Sequence, residues 1–422
     1  MMGLFIALVL SAAVSLRGAS RVLELWSTVF ELPEAAPAWY TGRLWLLRVG
    51  YYKLTRPKEQ AADWVWIIDH TIQLGVQKCL VILGVRLSAL PAPGTCLRHE
   101  DVEPIALYPV QTSNGEVVYQ QLTAAMAHTG VPREILSDGG SDLQAGIAQF
   151  QQAHPETQAI YDIKHKTALV LKHELADDPV WNAFTRQAAQ TKPRVPQTAL
   201  AFLAPPAQRR NARYMNVDSL IRWGTKVLAY LAQPHPTGKR QVSAELRLAA
   251  YGWLHEFCEP LQDWAELLHI VETTEQWVRS QGLSPGAAHV LTPQVTPLVR
   301  TARGQRVAQH LLTFVETEAA KAAPHERLLG SSEVIESVFG KLKRLEQQQA
   351  RSGFTGLVLA VGALVSPTTH EVIQEAMETV STQQVRQWCQ QHLGPSVQAQ
   401  RHQAFRQCKP EEEIQTHFQQ AA

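Results

Sequence analysis

The chain has 422 residues, 45% of them hydrophobic and 18% charged, and this globular composition excludes a disordered or fibrous protein. Its 39 Lys and Arg residues balance 38 Asp and Glu to a formal net charge of +1, so any nucleic-acid-binding surface must come from local segregation of charge. The five cysteines lie far apart without a CxxC pair, which disfavours a disulfide framework or a structural zinc site and fits a reducing cytoplasm.

Residues 1–60 are predicted to be helical. The uncharged apolar run at 1–14 is too short for a membrane span, which needs about 20 apolar residues, and it lacks the basic start of a signal peptide. We interpret it as a buried first helix, with a secretion signal as the alternative. A proline-containing break at 32–37 then leads to a basic and aromatic helix at 39–52. This outline is that of a helix-turn-helix, so 1–60 is a predicted DNA-binding domain with candidate contacts Arg43, Arg48 and Lys53.

Strands and helices alternate in the next part of the chain, which predicts an α/β sheet with helices packed on it. The strands are expected at 64–68, 78–85, 105–110, 134–137 and 158–162. The helices are expected at 116–128, 141–152 and 164–174, and Ser141 is expected to cap the second of them.

The remainder is predicted to be helical. It contains a basic stretch at 191–217, either a solvated loop or a strip that contacts the DNA backbone through Arg209, Arg210 and Arg213. An amphipathic helix at 331–349, an apolar segment at 357–365, two terminal helices and a frayed tail follow.

Two of the predicted strands end in an aspartate, Asp69 and Asp138. Carboxylates at neighbouring strand ends suit a hard divalent cation such as Mg²⁺, although an Asp after a strand is often only a turn residue or helix cap. The helix at 331–349 offers a third acid. Glu336 is expected at the edge of its buried stripe and Glu333 toward solvent, which favours Glu336 as the functional residue.

Taken together, these motifs resemble the catalytic core of DDE insertion-sequence transposases, which have an RNase H-like fold. The resemblance rests on an Asp at a first strand end, Ser-Asp-Gly at 137–139, and Ile-Glu-x-x-Phe at 335–339 with basic residues after it. A DxxH element formed by Asp162 and His165 matches the C/DxxH of mutator-like and hAT-like transposases; the alternative is that the two residues only form a helix-start pair.

The resemblance implies metal-dependent phosphodiester hydrolysis and strand transfer at the ends of an insertion sequence. Asp69, Asp138 and Glu336 would hold two Mg²⁺ or Mn²⁺ ions, with Asp162 and His165 supporting the active site. Lys341 and Lys343 become candidate DNA contacts. Its implied partners are double-stranded DNA, as terminal repeats and target, and a second copy when bound to DNA; its implied location is the prokaryotic nucleoid within the cytoplasm, without membrane contact.

The same resemblance divides the chain. A DNA-binding domain at 1–60 precedes a catalytic core at 61–175 and 326–394, a mainly helical insertion domain occupies 176–325, and 395–422 is the tail. The insertion is expected to bury most of its tryptophans: Trp181, Trp223, Trp253, Trp264 and Trp277. The alternative function is that of a non-catalytic DNA-binding protein derived from a decayed or domesticated transposase.

Overall fold

The computed structural model describes residues 1–72, 78–208, 217–233, 241–347, 355–394 and 405. The chain forms two compact units. The first consists of 1–91, 97–159 and the described residues from Ser332 onward, and the second consists of 92–96 and the described residues of 160–331. Among the described residues, no helix combines the length and the apolar character needed to cross a bilayer.

A mixed five-stranded sheet forms the centre of the described fold, in the order β3-β2-β1-β4-β5. The central strand β1 pairs antiparallel with β2 and parallel with β4, and β2 pairs antiparallel with β3. The predicted α/β architecture is therefore confirmed. The strands are β1 (Trp64–Ile72), β2 (Lys78–Arg86), β3 (Glu103–Val110), β4 (Glu134–Ser137) and β5 (Gln158–Tyr161).

The first unit also contains helices α1 (Met2–Leu10), α2 (Leu16–Val29), α3 (Trp39–Thr55), α4 (Gly115–Thr129) and α5 (Ser141–Ala153). The second unit is helical, as predicted, with α6 (Ile163–Leu175), α7 (Pro179–Thr191), α8 (Val217–Leu231), α9 (Ala244–Tyr251), α10 (Cys258–Gln281), α11 (Ala287–Val295) and α12 (Ala302–Ala319). The first unit resumes with α13 (Glu333–Gln347), α14 (Ala360–Leu364), α15 (His370–Thr379) and α16 (Thr382–Leu393).

The two faces of the sheet are covered by different helices. Side chains alternate along a strand, and Trp66 and Ile68 of β1 pack with residues of α4 and α5 in one buried cluster. The alternate β1 residues, Val65 and Ile67, are fully buried. Helix α13 also packs against β1 but contributes nothing to the α4–α5 cluster, so it lies on the face of Val65 and Ile67.

Two sequence predictions about strand and helix ends are wrong. Asp69 does not end β1, because antiparallel pairing with β2 carries the strand on to Ile72, opposite Lys78. Ser141 does not cap α5, since it is the first helical residue and Gly140 occupies the cap position without a side-chain bond.

The unit boundaries also differ from the predicted domain boundaries. Residue 60 does not separate two compact units, because α1, α2 and α3 belong with the sheet. Helix α6, which the sequence placed in the catalytic core, belongs to the second unit because it packs on α10 and α12.

Aromatic side chains fill the core of the second unit. Trp181 and Trp264 meet edge to face with ring centroids 4.9 Å apart, and Phe184 lies 5.1 Å from Trp264. Trp223 and Trp277 are buried too, whereas Trp253 is only half-buried. The expectation of core tryptophans is thus confirmed for four of the five.

Helix α3 is held by a close approach of two backbones. It packs on α14, α15 and β3, and Gly50 of α3 faces Gly362 of α14. A Cβ on Gly50 would lie 1.9 Å from the carbonyl oxygen of Leu359, and one on Gly362 would lie 2.4 Å from the carbonyl oxygen of Gly50. Only glycine fits at either position without a shift of the backbone.

We expect Gly50→Ala to destabilise the protein. Overpacking at such a contact costs about 1–3 kcal/mol, which outweighs the helix preference of Ala over Gly of about 1 kcal/mol. Gly340→Ala in α13 is the matched control, since its Cβ would meet nothing within 4 Å. Thermal melting should show a lower midpoint for Gly50→Ala and an equal or higher one for Gly340→Ala. An unchanged midpoint in both would contradict the close approach.

Candidate active site at the carboxyl edge of the sheet

The pairing of β1 with β4 brings the two predicted aspartates together. The strands run parallel with Ile68 opposite Ser137, so Asp69 and Asp138 follow at the same level on neighbouring strands. Adjacent strands lie about 4.8 Å apart. Both residues are half-buried, although the residues before them are buried. The register therefore places two half-buried aspartates at the same level on adjacent segments of the chain, where β4 ends.

Local backbone groups orient these carboxylates. The backbone N–H of His70 donates to Asp69 Oδ1 at 2.6 Å, and that of Gly140 donates to Asp138 Oδ1 at 2.9 Å. Gly139 adopts a φ of +77°, so the chain turns tightly between β4 and α5. The turn role that the sequence offered as an alternative for Asp138 is thus present, and it fixes one of its carboxylate oxygens.

Helix α13 brings Glu336 to the sheet face that carries Asp69. Lys341, in the second half of α13, has its Nζ 3.0 Å from Nδ1 of His99. His99 precedes β3, which runs in the same direction as β1, so it lies at the amino edge of the sheet. The first turn of α13, with Glu333 and Glu336, therefore points toward the carboxyl edge.

Burial does not distinguish Glu336 from Glu333. Both side chains are half-buried, and the choice of Glu336 over Glu333 stays a prediction. The buried stripe of α13 includes Val334, which lies on the side of the helix away from Glu336 and toward Glu333.

The predicted metal ligands, Asp69, Asp138 and Glu336, form only part of a site for a hard cation. Mg²⁺ is commonly held by one or two carboxylates together with substrate phosphate, and Asp69 with Asp138 offers such a pair. Within the part of the chain that the structure describes, no three or more His, Cys, Asp or Glu side chains form a group able to hold a metal. The two aspartates therefore fit the predicted ion, and Glu336 does not complete a preformed three-ligand site with them.

A polar cluster that sequence reasoning missed lies at the same edge, on the α4–α5 face. His70 Nε2 is 3.3 Å from Oγ of Ser113, and His70 Nδ1 is 3.8 Å from Oδ2 of Asp142. Lys78 Nζ lies 3.4 Å from the same Asp142 oxygen. These residues come from β1, β2, the start of α5 and the segment before α4, so no sequence spacing links them. That His70 points away from Asp69 agrees with strand alternation.

The charges within this cluster balance one another. Burial lowers the pKa of the His70 imidazole, although the Asp142 carboxylate opposes that shift. Burial alone would raise the pKa of Asp142, but a hydrogen bond from Ser113 and the nearby His70 and Lys78 lower it overall. Near neutral pH the cluster therefore contains an ionised Asp142 beside a neutral His70.

The predicted DNA contacts of α3 are engaged inside the protein. Lys53 is 0% exposed, and its Nζ donates to the carbonyl oxygens of Val365 and Ser366 at 2.8 Å and to Thr368 Oγ1 at 2.7 Å. The prediction that Lys53 contacts DNA is therefore wrong.

The two arginines of α3 are also partly withdrawn from solvent. Arg48 Nε donates to the carbonyl oxygen of Val380 at 2.6 Å, and its Nη2 donates to that of Met377, at the end of α15. Arg43 is half-buried, and burial lowers the pKa of its guanidinium.

The remaining predicted contacts have different surroundings. Lys343 is exposed on α13, whereas Lys341 is half-buried against His99. Arg209, Arg210 and Arg213 lie outside the described residues.

Asp162 and His165 belong to the second unit. Asp162 is fully buried and caps α6, where its Oδ1 accepts the backbone N–H of His165 at 2.9 Å. The helix-start pairing that the sequence offered as an alternative is therefore present. Glu275 of α10 is half-buried near Asp162 and accepts a hydrogen bond from Thr167, and desolvation raises the pKa of Glu275 to about 7.

No protein-family model and no curated protein matches the chain. Among solved structures, it is similar to the Drosophila P element transposase strand transfer complex, with a TM-score of 0.39 and 11% sequence identity. The match covers 88% of this chain and 92% of that chain. A likeness at this TM-score carries no weight for activity.

Burial lowers the pKa of Lys53 to about 7, and Arg56 adds to this shift while Glu103 opposes it. An unfolded lysine has a pKa of about 10.4, so above pH 7 the unfolded state binds more protons and stability rises with pH. The difference in free energy of unfolding between the wild type and Lys53→Met should therefore shift in favour of the wild type as the pH rises from 7 to 9. The shift should be at most about 1.4 kcal/mol per pH unit. Urea melts of both proteins test this, and a relative loss by the wild type would contradict it.

Proposed function

We propose that the protein is a DNA transposase of the DDE type with an RNase H-like catalytic sheet. One observation carries the proposal: parallel strands β1 and β4 pair as far as Ile68 opposite Ser137, so Asp69 and Asp138 follow at the same level where β4 ends. The carboxyl edge of an α/β sheet is where such folds place their functional groups. The sequence motifs around both aspartates and Glu336 support the same assignment.

In this proposal the aspartates hold the divalent ions that activate water and stabilise the phosphoryl-transfer transition state. Backbone N–H groups of His70 and Gly140 keep the two carboxylates in position. Glu336 approaches from α13 on the Asp69 face and acts as the third acid once DNA is bound. Its carboxylate is expected to complete the site together with a DNA phosphate.

Double-stranded DNA is the proposed substrate, as element ends and as target. The outer face of α13 supports a phosphate contact near Glu336. Lys343 is exposed there, and a Cβ on Gly340 would meet nothing within 4 Å. Because the structure withdraws Lys53 from solvent, we assign no DNA contact to it.

Asp69→Asn and Asp138→Asn should each reduce strand cleavage at least about 100-fold, because each removes a charge that the transition state needs. Binding of DNA should change little, since it rests on phosphate and base contacts elsewhere. The measurement is Mg²⁺-dependent cleavage of a labelled duplex that carries the sequence flanking the gene. Cleavage by either variant at the wild-type rate would exclude the assignment.

The two glutamates of α13 form a matched pair, since both are half-buried in its first turn. Glu336→Gln should abolish cleavage in the same assay, and Glu333→Gln should lower the rate at most a few-fold. Equal melting temperatures would show that neither change acts through folding. The reverse order of activities would transfer the role to Glu333.

A second candidate function is that of a non-catalytic DNA-binding protein. It is favoured by one observation, that the described residues hold no three-ligand metal group. Calorimetric titration with Mg²⁺, with and without the flanking duplex, separates the two functions. Heat of binding that disappears in Asp69→Asn supports the enzyme, and binding of DNA without any response to Mg²⁺ supports the alternative.

A further inference from the structure

Helix α2 carries a large apolar surface that its own unit does not cover. Leu25 is 66% exposed and Val29 is 71% exposed, and Val22, Trp26 and Phe30 beside them are also exposed. The rings of Trp26 and Phe30 lie against each other with centroids 5.1 Å apart. We call these five residues the α2 stripe. A soluble monomer rarely exposes so many large apolar side chains in one place, and such a patch marks an interaction surface.

The stripe is distinct from the face that holds α2 in the fold. The inner face consists of Leu16, Ala19 and Leu23, which are buried. At about 100° per residue, Val22, Leu25 and Val29 centre roughly 120° around the helix from that face. Helix α2 is therefore apolar over about half of its circumference, and the fold covers only part of it.

The spacing of the stripe fits a helix partner. Val22, Leu25 and Val29 stand at i, i+3 and i+7, with β-branched residues and leucine alternating as they do at the a and d positions of two-stranded coiled coils. DNA is a poor occupant, because its backbone attracts cationic side chains and not a row of aliphatic and aromatic ones.

The charges next to the stripe are segregated along it. Arg21 is exposed on the amino-terminal side, and Glu31 and Glu34 are exposed just beyond the carboxyl end. A second α2 laid antiparallel across Leu25 brings Arg21 of each copy toward the acidic end of the other. Antiparallel helices also place opposite dipole ends together. The stripe is thus complementary to itself in the spacing of its apolar residues and in charge.

We infer that the α2 stripe pairs antiparallel with the same stripe of a second copy and makes the protein a homodimer without DNA. The interface is isologous, with Leu25 near the two-fold axis and Val22 opposite Val29. The inference does not rest on the proposed catalytic function, because it uses no residue of the candidate active site.

Sedimentation equilibrium of the full chain without DNA tests the inference. The wild type should be dimeric at about 100 µM, and Leu25→Glu should raise the dissociation constant at least about tenfold, because it buries a charge at the interface centre. Leu246→Glu is the matched control, since Leu246 is a 58% exposed leucine on α9 of the second unit. It should leave the dissociation constant unchanged, and circular dichroism should be the same for all three proteins.

Charge exchange tests the antiparallel arrangement. Arg21→Glu should weaken the dimer, and adding Glu31→Arg to it should restore the wild-type dissociation constant. A monomeric wild type at about 100 µM would overturn the inference, whatever else covers the stripe. If Leu25→Glu leaves the dimer intact, the α2 stripe is not the interface. If Glu31→Arg fails to restore the dimer weakened by Arg21→Glu, the two helices are not antiparallel.

Discussion

The two-sided pairing of β1 is the constraint on which the candidate site depends. Antiparallel pairing with β2 holds one side of β1 as far as Ile72. Parallel pairing with β4 holds the other side only as far as Ile68. Where β4 ends, the chain turns away through Gly139 while β1 continues. This leaves Asp69 within a rigid strand beside the turn that carries Asp138. A slip of one residue between the strands would move Asp69 to the opposite face.

Helix α13 depends on the segments around it. Helix α14 contacts both α13 and α3, and Gly50 brings α3 into direct backbone contact with α14. The buried ammonium of Lys53 then ties α3 to the carbonyl groups that follow α14. Helix α3, which the sequence predicted to bind DNA, is consequently part of the framework that positions Glu336 on α13.

The His70, Ser113, Asp142 and Lys78 cluster supports the edge of the sheet from the other face. It joins β1, β2 and the first turn of α5, which are the elements that flank the two aspartates. Its two charged groups, the half-buried Asp142 carboxylate and the more exposed Lys78 ammonium, lie 3.4 Å apart and compensate each other. The cluster thus braces, from the α4–α5 face, the strands and the helix start that flank Asp69 and Asp138.

The sequence by itself determined most of the helices and strands and which side chains could take part in a functional site. Short β-branched runs and 3.6-residue periodicity are local signals, so β4, the helical second unit and the buried tryptophans could be predicted, as could the two aspartates at neighbouring strands. Contacts between distant segments carry no such local signal. Only the tertiary structure decided that Lys53 is buried, that α6 leaves the sheet, that β1 extends beyond Asp69, and that His70 meets Asp142. Each of these depends on which partner a residue finds across the fold, and sequence spacing does not encode that partner.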